Sequence, residues 1–453
     1  METSYKPIPS TKLLYSFLKI PELMHNPIPV FQAGFNRYGE VYRVRGLRGA
    51  VLINNADCAQ HILQKNHRNY HKSEVQSEYL AAHIGRGLLT ANGAYWLQQR
   101  KLIQPGFHRP KLAELVKIMQ AETNRFMGGV MDEYLEKGEE FDFAYAMMQV
   151  TFRIVSKSLF SYGVSDDELD RLAFIVNELQ RYLIIQIRNP YKLPWLYLTG
   201  KIQYYKRLRE ESDGILFRII RERKASGERH DDLLDMLLDV RYEDTGEGMT
   251  DQQLRDESLI LFLAGHETSA NALAWLFYTL TKHPDVVDKI LAEVEETVGD
   301  RDVTFGDIPR LTYTKQVIQE GMRLFPPAWA VDRVALEDDE VAGYKIDKGT
   351  SIALFIYGIH HNPKYWDNPE EFRPERFTKE NIKKRHRFAY FPFGGGPRLC
   401  IGHNFAYMEM QLVVTNLLRK YRFELTSSEE EIDLEPLVTL RPRNGIRMRI
   451  YER

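Results

Sequence analysis

Phe393-Gly394-Gly395-Gly396-Pro397-Arg398-Leu399-Cys400-Ile401-Gly402 decides how this chain is read. Three consecutive glycines lead towards one cysteine and a fourth follows it by two residues, so the backbone there is almost bare of side chains. A flat macrocycle lying against the main chain needs such a surface. From His403 onward the spacing of Phe405, Met408, Leu412 and Leu417 predicts a helix with one buried face. Cys400 then sits near a positive helix end and among unpaired backbone N–H groups, which favours thiolate over thiol. A lone cysteine is more often a small buried apolar residue, but the surrounding loop reverses that weighting, and Cys400 is read as the thiolate ligand of a haem iron. A thiolate pushes electron density onto iron and promotes O–O cleavage, whereas a histidine would favour reversible oxygen binding.

Phe393, Gly396, Arg398, Cys400 and Gly402 match F-x-x-G-x-R-x-C-x-G. Through them, and over nearly its whole length, the chain resembles the cytochrome P450 family. The resemblance is closest to the haem domains of the soluble bacterial fatty-acid hydroxylases. It implies a mainly α fold with small β-sheets, one large domain over residues 1–453 with a long central helix, and haem b held by Cys400.

Length and composition agree. A chain of 453 residues suggests about three domains as a bare prior, yet no repeat, low-complexity tract or linker offers a place to cut. A formal net charge of −2 argues neither for nucleic acid nor for an anionic membrane surface, and none is expected as a partner. Cys58 and Cys400 lie far apart, which excludes a disulfide framework and points to a reducing, cytoplasmic setting. The stretch Leu13 to Ile20 is short and broken by Lys19. A spanning helix needs about 20 apolar residues, and there is no secretory signal pattern, so no membrane anchor is expected. The expected state is a monomer.

The remaining motifs follow the chain. Glu40 to Asn54 reads as a hairpin about Gly46-Leu47-Arg48-Gly49, and a helix follows from Ala56 to about Asn66. Tyr70 to Thr90, with Gly85 and Gly87, reads as irregular; in the family this loop roofs the substrate pocket. Trp96 and Arg100 lie four residues apart on one helical face, and resemble the pair that binds a haem propionate. Pro110 to His230 is helical scaffold, broken at Pro190 and Pro194 between the two helices that form a lid in the family.

Thr250-Asp251-Gln252-Gln253 is a capping box opening a helix to about Lys282, roughly 45 Å long. Its centre, Leu259 to Ser269, mixes an apolar run with a glycine, an acid and two hydroxyls, and buried polar groups need a reason. The resemblance supplies one: Gly265 lets oxygen lie against the helix, and Glu267 and Thr268 resemble the acid–alcohol pair that delivers protons to dioxygen. The Thr268 hydroxyl can instead bond the carbonyl four residues back and bend the helix. Glu320 and Arg323 share a helical face, and with Arg376 resemble the family's buried charge network. Arg333 and Arg398 resemble its propionate-binding cations. Trp329, Ala330 and Val331, then Val438, Thr439 and Leu440, are expected at the pocket.

The resulting reading is a monooxygenase that inserts one oxygen atom of dioxygen into a small organic substrate. Apolar pocket candidates favour C–H hydroxylation of a fatty acid or terpenoid, with Arg48 as a carboxylate contact. Polar groups in the roof (Gln76, Ser77, Glu78, Tyr79, His83) and lid (Gln180, Arg181, Tyr182, Gln186, Arg188) leave open O-demethylation of a small polar ether such as a methylated sugar. An intact Ala264 to Ser269 segment counts against a non-catalytic haem-thiolate sensor and against a peroxide-driven enzyme. With the chain ending at Arg453, electrons are expected from a separate ferredoxin or flavodoxin with its reductase. Lys101, Arg109, Lys111, Lys379, Lys383, Lys384, Arg385 and Arg387 are its candidate docking cations.

Overall fold

The capping box at Thr250 is present in full: the Gln253 N–H donates to Thr250 Oγ1 at 3.2 Å and the Thr250 N–H to Gln253 Oε1 at 2.9 Å. A computed structural model describes residues 5–46, 49–161, 163–188, 190–426 and 432–453. In chain order the helices that build the site are α1 (Gly93–Ile103), α2 (Phe143–Leu159), α3 (Asp166–Arg188), α4 (Lys201–Ser226), α5 (Asp251–Leu280), α6 (Thr312–Leu324) and α7 (His403–Lys420). The capped helix is α5; its 30 residues span about 45 Å, and most of its side chains from Leu254 on are buried. The fold is mainly α with small sheets. Among the described residues no helix is long and apolar enough to cross a membrane.

Helix α2 lies against the middle of α5. The Thr151 hydroxyl donates to the His266 carbonyl at 3.0 Å, and a Cβ on Gly265 would stand 2.9 Å from Val155 Cγ2. Close approach of the two helices is thus one reason for glycine at 265. On α6 the Glu320 carboxylate receives Arg323 Nε at 2.7 Å and Nη2 at 2.8 Å, with Arg376 Nε in ion-pair contact at 3.2 Å. Arg323 also donates to the carbonyls of His360, Pro369 and Glu371 at 2.7–3.0 Å. This fixes the meander that leads to the cysteine loop.

The larger sheet comprises β1 (Val41–Val44), β2 (Ala50–Ile53), β3 (Tyr70–His71), β4 (Val331–Ala335) and β5 (Ser351–Leu354), in the order β1-β2-β5-β4-β3. Strands β1 and β2 form the expected hairpin, with Val41 opposite Ile53 and Val44 opposite Ala50. Its tip, including Arg48, lies outside the described residues. The roof differs from the irregular loop expected: after β3 it turns helically from Val75 to Ile84 before stopping at Gly85 with φ +91°. The glycines mark the end of this element, and burial of Leu80, Ala81 and Ile84 on one side is what makes it helical.

Candidate functional site

The cysteine loop is held by backbone geometry. Gly396 has φ +66°, and a Cβ there would lie 1.9 Å from the Leu63 carbonyl oxygen, so no other residue fits. The Cys400 N–H donates to the Phe393 carbonyl at 2.9 Å and closes the loop. Helix α7 starts three residues later, at His403. Phe393 packs its ring against Tyr407, 5.2 Å between centroids. At Gly402, by contrast, a Cβ would meet nothing nearer than Phe107 at 3.9 Å. The protein's own packing does not demand that glycine, so the space kept clear there belongs to the cavity.

Cys400 is exposed, and what it faces is a cavity of about 460 Å3. Its surroundings do not match the expectation of a thiolate stabilised by the loop alone. Burial pushes the thiol up, and the Gly402 N–H and the Arg100 guanidinium only partly offset that. A metal bound at this sulfur would supply the ionisation, its binding releasing the proton.

The cavity takes one wall from the cysteine loop and another from the centre of α5, including Leu263, Ala264, Gly265, Glu267 and Thr268. Trp96, Arg100, Arg333 and Arg398 all line it, as does Lys72, a cation the sequence reading passed over. Among the described residues none of these four cations is paired with a carboxylate. The Arg398 guanidinium lies 4.3 Å above the Trp96 ring, Arg333 donates to the Asp332 carbonyl at 2.6 Å, and Lys72 Nζ donates to the Leu88 carbonyl at 2.6 Å. Arg100 donates to the Leu399 carbonyl at 2.8 Å. Burial pushes Arg333 and Arg398 down to about 10, and burial with both guanidiniums pushes Lys72 well down. Buried and half-buried cations with no carboxylate paired to them, beside a bare loop that presents a thiol, fit a flat cofactor carrying carboxylates on one edge.

On α5, Thr268 faces the cavity while its hydroxyl donates to the Ala264 carbonyl at 2.8 Å, the bond four residues back. Glu267 is buried, and its carboxylate accepts from Gln180 Nε2 at 2.5 Å, Thr439 Oγ1 at 2.5 Å and Arg441 Nη2 at 2.8 Å. Neither Gln180 nor Arg441 was singled out as a partner of this acid. They come from the lid helix α3 and from the hairpin at 434–442, and no local spacing announces that meeting.

Of the apolar pocket candidates, Leu263, Ala264, Ala330, Val331 and Val438 line the cavity, with Thr439. Trp329 and Leu440 do not. Trp329 stacks on Phe31 at 6.4 Å and donates its indole N–H to the Leu437 carbonyl at 3.0 Å, while Leu440 is fully buried in the same satellite core. Neighbouring residues in extended chain point to opposite sides, and these two fall on the core side. Of the polar roof and lid groups, Gln76 and Gln180 reach the cavity. Gln76 is bonded to Asp332 and Gln180 to Glu267. His83 donates to Gln186 at 2.6 Å, Ser77 donates to the Ser73 carbonyl, Arg181 pairs with Glu178 at 2.7 Å and Glu78 with Arg86 at 3.8 Å. Tyr182 stacks on Tyr205. The Arg188 side chain lies outside those described.

The candidate docking cations divide. Arg385 is not a surface charge: its guanidinium lies 4.2 Å over Trp366 and 4.7 Å over Phe377, and burial pushes it down to about 10. Lys101, Lys111 and Lys384 are paired with Glu243, Asp231 and Glu380. Lys379, Lys383 and Arg387 are exposed, and the Arg109 side chain is not among those described.

The family model described as Cytochrome P450 matches residues 7–448. The chain is 31% identical to human cytochrome P450 4V2 over 488 residues, covering 99% of this chain and 90% of that protein. It is 32% identical to the cyclooctat-9-en-7-ol 5-monooxygenase of Streptomyces melanosporofaciens over 397 residues, 86% of this chain and 84% of the relative. A crystal structure of the cytochrome P450DA haem domain superposes with a TM-score of 0.89 at 25% identity, covering 99% of this chain and 98% of that one.

Proposed function

The chain belongs to the cytochrome P450 family, and from that premise we propose that it hydroxylates a C–H bond of an apolar molecule of the fatty-acid or terpenoid class. As a member it is an oxidoreductase with a cysteine-thiolate-ligated haem, which when bound supplies the oxygen-activating chemistry. Cys400 is the ligand in this reading, and Phe393, packed beside it, shields the sulfur. Arg100, Arg333, Arg398 and Lys72 neutralise the cofactor's carboxylates, with Trp96 holding the Arg398 guanidinium in place. Gly402 leaves room against the loop, and Gly265 lets α5 run close beside the cavity.

One observation carries the choice of substrate: of the nine polar roof and lid groups whose side chains are described, only Gln76 and Gln180 line the cavity, and both amides are bonded to protein carboxylates. What remains is chiefly leucine, valine and alanine wall, including Leu80, Leu88, Leu89, Leu263 and Val331. An acyl chain or terpene skeleton gains by burial there; a sugar would leave hydroxyls unpaired. Titrating the ferric holoenzyme with medium-chain fatty acids, terpenoids and methylated sugars tests this. The expected low-to-high-spin shift comes with the first two, and a shift with the sugars alone would reverse the reading in favour of O-demethylation.

The Thr268 hydroxyl donates to Ala264 and so presents its lone pairs to the cavity, where it orients a water beside the reacting oxygen. Glu267 is the acid behind it. Thr268→Ala should leave folding and haem content unchanged while product falls, by up to about 10²-fold, and peroxide accumulates. Unaltered coupling of electron consumption to product would reduce Thr268 to a helix-bending residue.

Electrons reach the family's haem through a redox partner. An acidic ferredoxin or flavodoxin suits the exposed Lys379, Lys383 and Arg387, and its association should slow as ionic strength rises. The two free, well-separated cysteines suit a reducing compartment such as the cytoplasm.

A further inference from the structure

Two consecutive carboxylates of α5 press against the backbone of the roof, and they are not alike. Asp256 stands under Gly85, accepts the Arg86 N–H at 2.9 Å and is paired with Arg255 at 2.9 Å. Glu257 stands under Gly87, where a Cβ would fall 2.5 Å from its Oε1, so close approach is what keeps that position a glycine. The Glu257 carboxyl is fully buried and accepts the Leu88 N–H, at 3.1 and 3.2 Å, with no cation bonded to it among the described residues. The carbonyl of the same Leu88 accepts Lys72 Nζ at 2.6 Å. Lys72 is buried and lines the cavity, and Glu257 lies behind the wall. One residue of backbone thus separates a buried acid from a buried amine.

Burial, then Arg398 and Arg333, press Lys72 towards the neutral amine, and Glu257 is the leading group that acts the other way, ahead of Asp332. Burial pushes Glu257 up to about 8 against the Leu88 N–H; Asp256 adds to that push and Lys72 opposes it, and Tyr95 of α1 also faces the acid. Acid with amine and carboxylate with ammonium hold the same number of protons. Carboxylates placed beside Arg333 and Arg398 cancel the repulsion from both guanidiniums, which favours the charged arrangement.

We propose that Glu257 is a positioning residue that keeps Lys72 an ammonium against the carboxylate edge of the bound cofactor, acting across Leu88. As the cofactor seats, the O–H bond of Glu257 breaks and an N–H bond forms at the Lys72 amine. Water relays that proton, none is gained or lost overall, and no electron moves. The acid does not reach the cavity, so what it sets is the grip on the cofactor. The inference rests on the haem reading of the site.

The test is the first-order loss of ferric haem from the holoenzyme to excess apomyoglobin, across pH, in wild type, Glu257→Gln, Lys72→Met and the double variant. Gln keeps an acceptor for the Leu88 N–H and nearly the volume of the acid, so the roof stays seated and only the charge goes. Haem loss near neutral pH should be about tenfold faster in Glu257→Gln, the lower end for a hydrogen bond to a charged group. The double variant should lose haem no faster than Lys72→Met, because the two side chains act as one unit. In wild type the loss should quicken as pH rises and the ammonium deprotonates. That rise should begin at lower pH in Glu257→Gln, whose lysine lacks its countercharge, and be absent in Lys72→Met. Glu257→Asp keeps the charge and should fall between wild type and Glu257→Gln; if Glu257→Gln fails to accumulate, Glu257→Asp with and without Lys72→Met carries the same comparison. An unchanged rate and pH profile in Glu257→Gln, or an effect that persists in full beside Lys72→Met, overturns the proposal while a normal thiolate ferrous–CO band leaves the haem reading standing. A wild type that takes up haem without that band overturns both.

Discussion

Cys400→Ser is expected to abolish the red-shifted ferrous–CO band of a thiolate-ligated haem and to take product formation to background. The argument is one of acidity and softness. In this cavity burial already pushes the thiol up, against one backbone N–H from Gly402 and the charge of Arg100. A serine hydroxyl is far less acidic and much harder, so it gains neither ionisation from the site nor a strong bond to iron. Haem itself is still held by the four cations and the bare loop, which separates loss of ligation from loss of cofactor. A Cys400→Ser protein that kept both spectrum and turnover would remove the organising assignment of the site.

Glu320→Ala should be nearly as severe, though it touches nothing in the cavity. The carboxylate is fully buried and serves two guanidiniums, Arg323 and Arg376. Arg323 remains pinned by the carbonyls of His360, Pro369 and Glu371 and cannot swing to water. Removing one partner of a buried pair costs about 3–5 kcal/mol, a large share of the roughly 5–15 kcal/mol that stabilises a domain. The variant should fail to accumulate as holoenzyme, or unfold at much lower denaturant. Wild-type midpoint and haem content would contradict the structural role given to this network.

The features legible in the sequence are those fixed locally. A capping box spans four residues, the Glu320–Arg323 pair four, and the glycine loop ten, so spacing alone specifies them. The features that were not legible are meetings of distant segments. Gln180 and Arg441 reach Glu267 from a lid helix and a hairpin; Lys72 joins the cations of the cavity wall from the roof; Arg385 is drawn towards the core by Trp366 and Phe377. Trp329 and Ala330 are adjacent, yet one packs into a satellite core and the other lines the cavity.

Gly396 against the Leu63 carbonyl, the approach that admits no side chain, also bears on the order in which the molecule is made. The same loop is tied to the early chain by Arg100 to Leu399 and by Arg398 to Ala91, contacts between residues 299 and 307 positions apart. Such contacts require the ends of a very long loop to meet, and they form after the local helices. During synthesis the roof, lid and α5 emerge well before the cysteine does. The nascent chain thus carries most of the cavity before Cys400 is made, and a cofactor ligated by Cys400 would be captured only after the cysteine loop has left the ribosome and settled against Leu63.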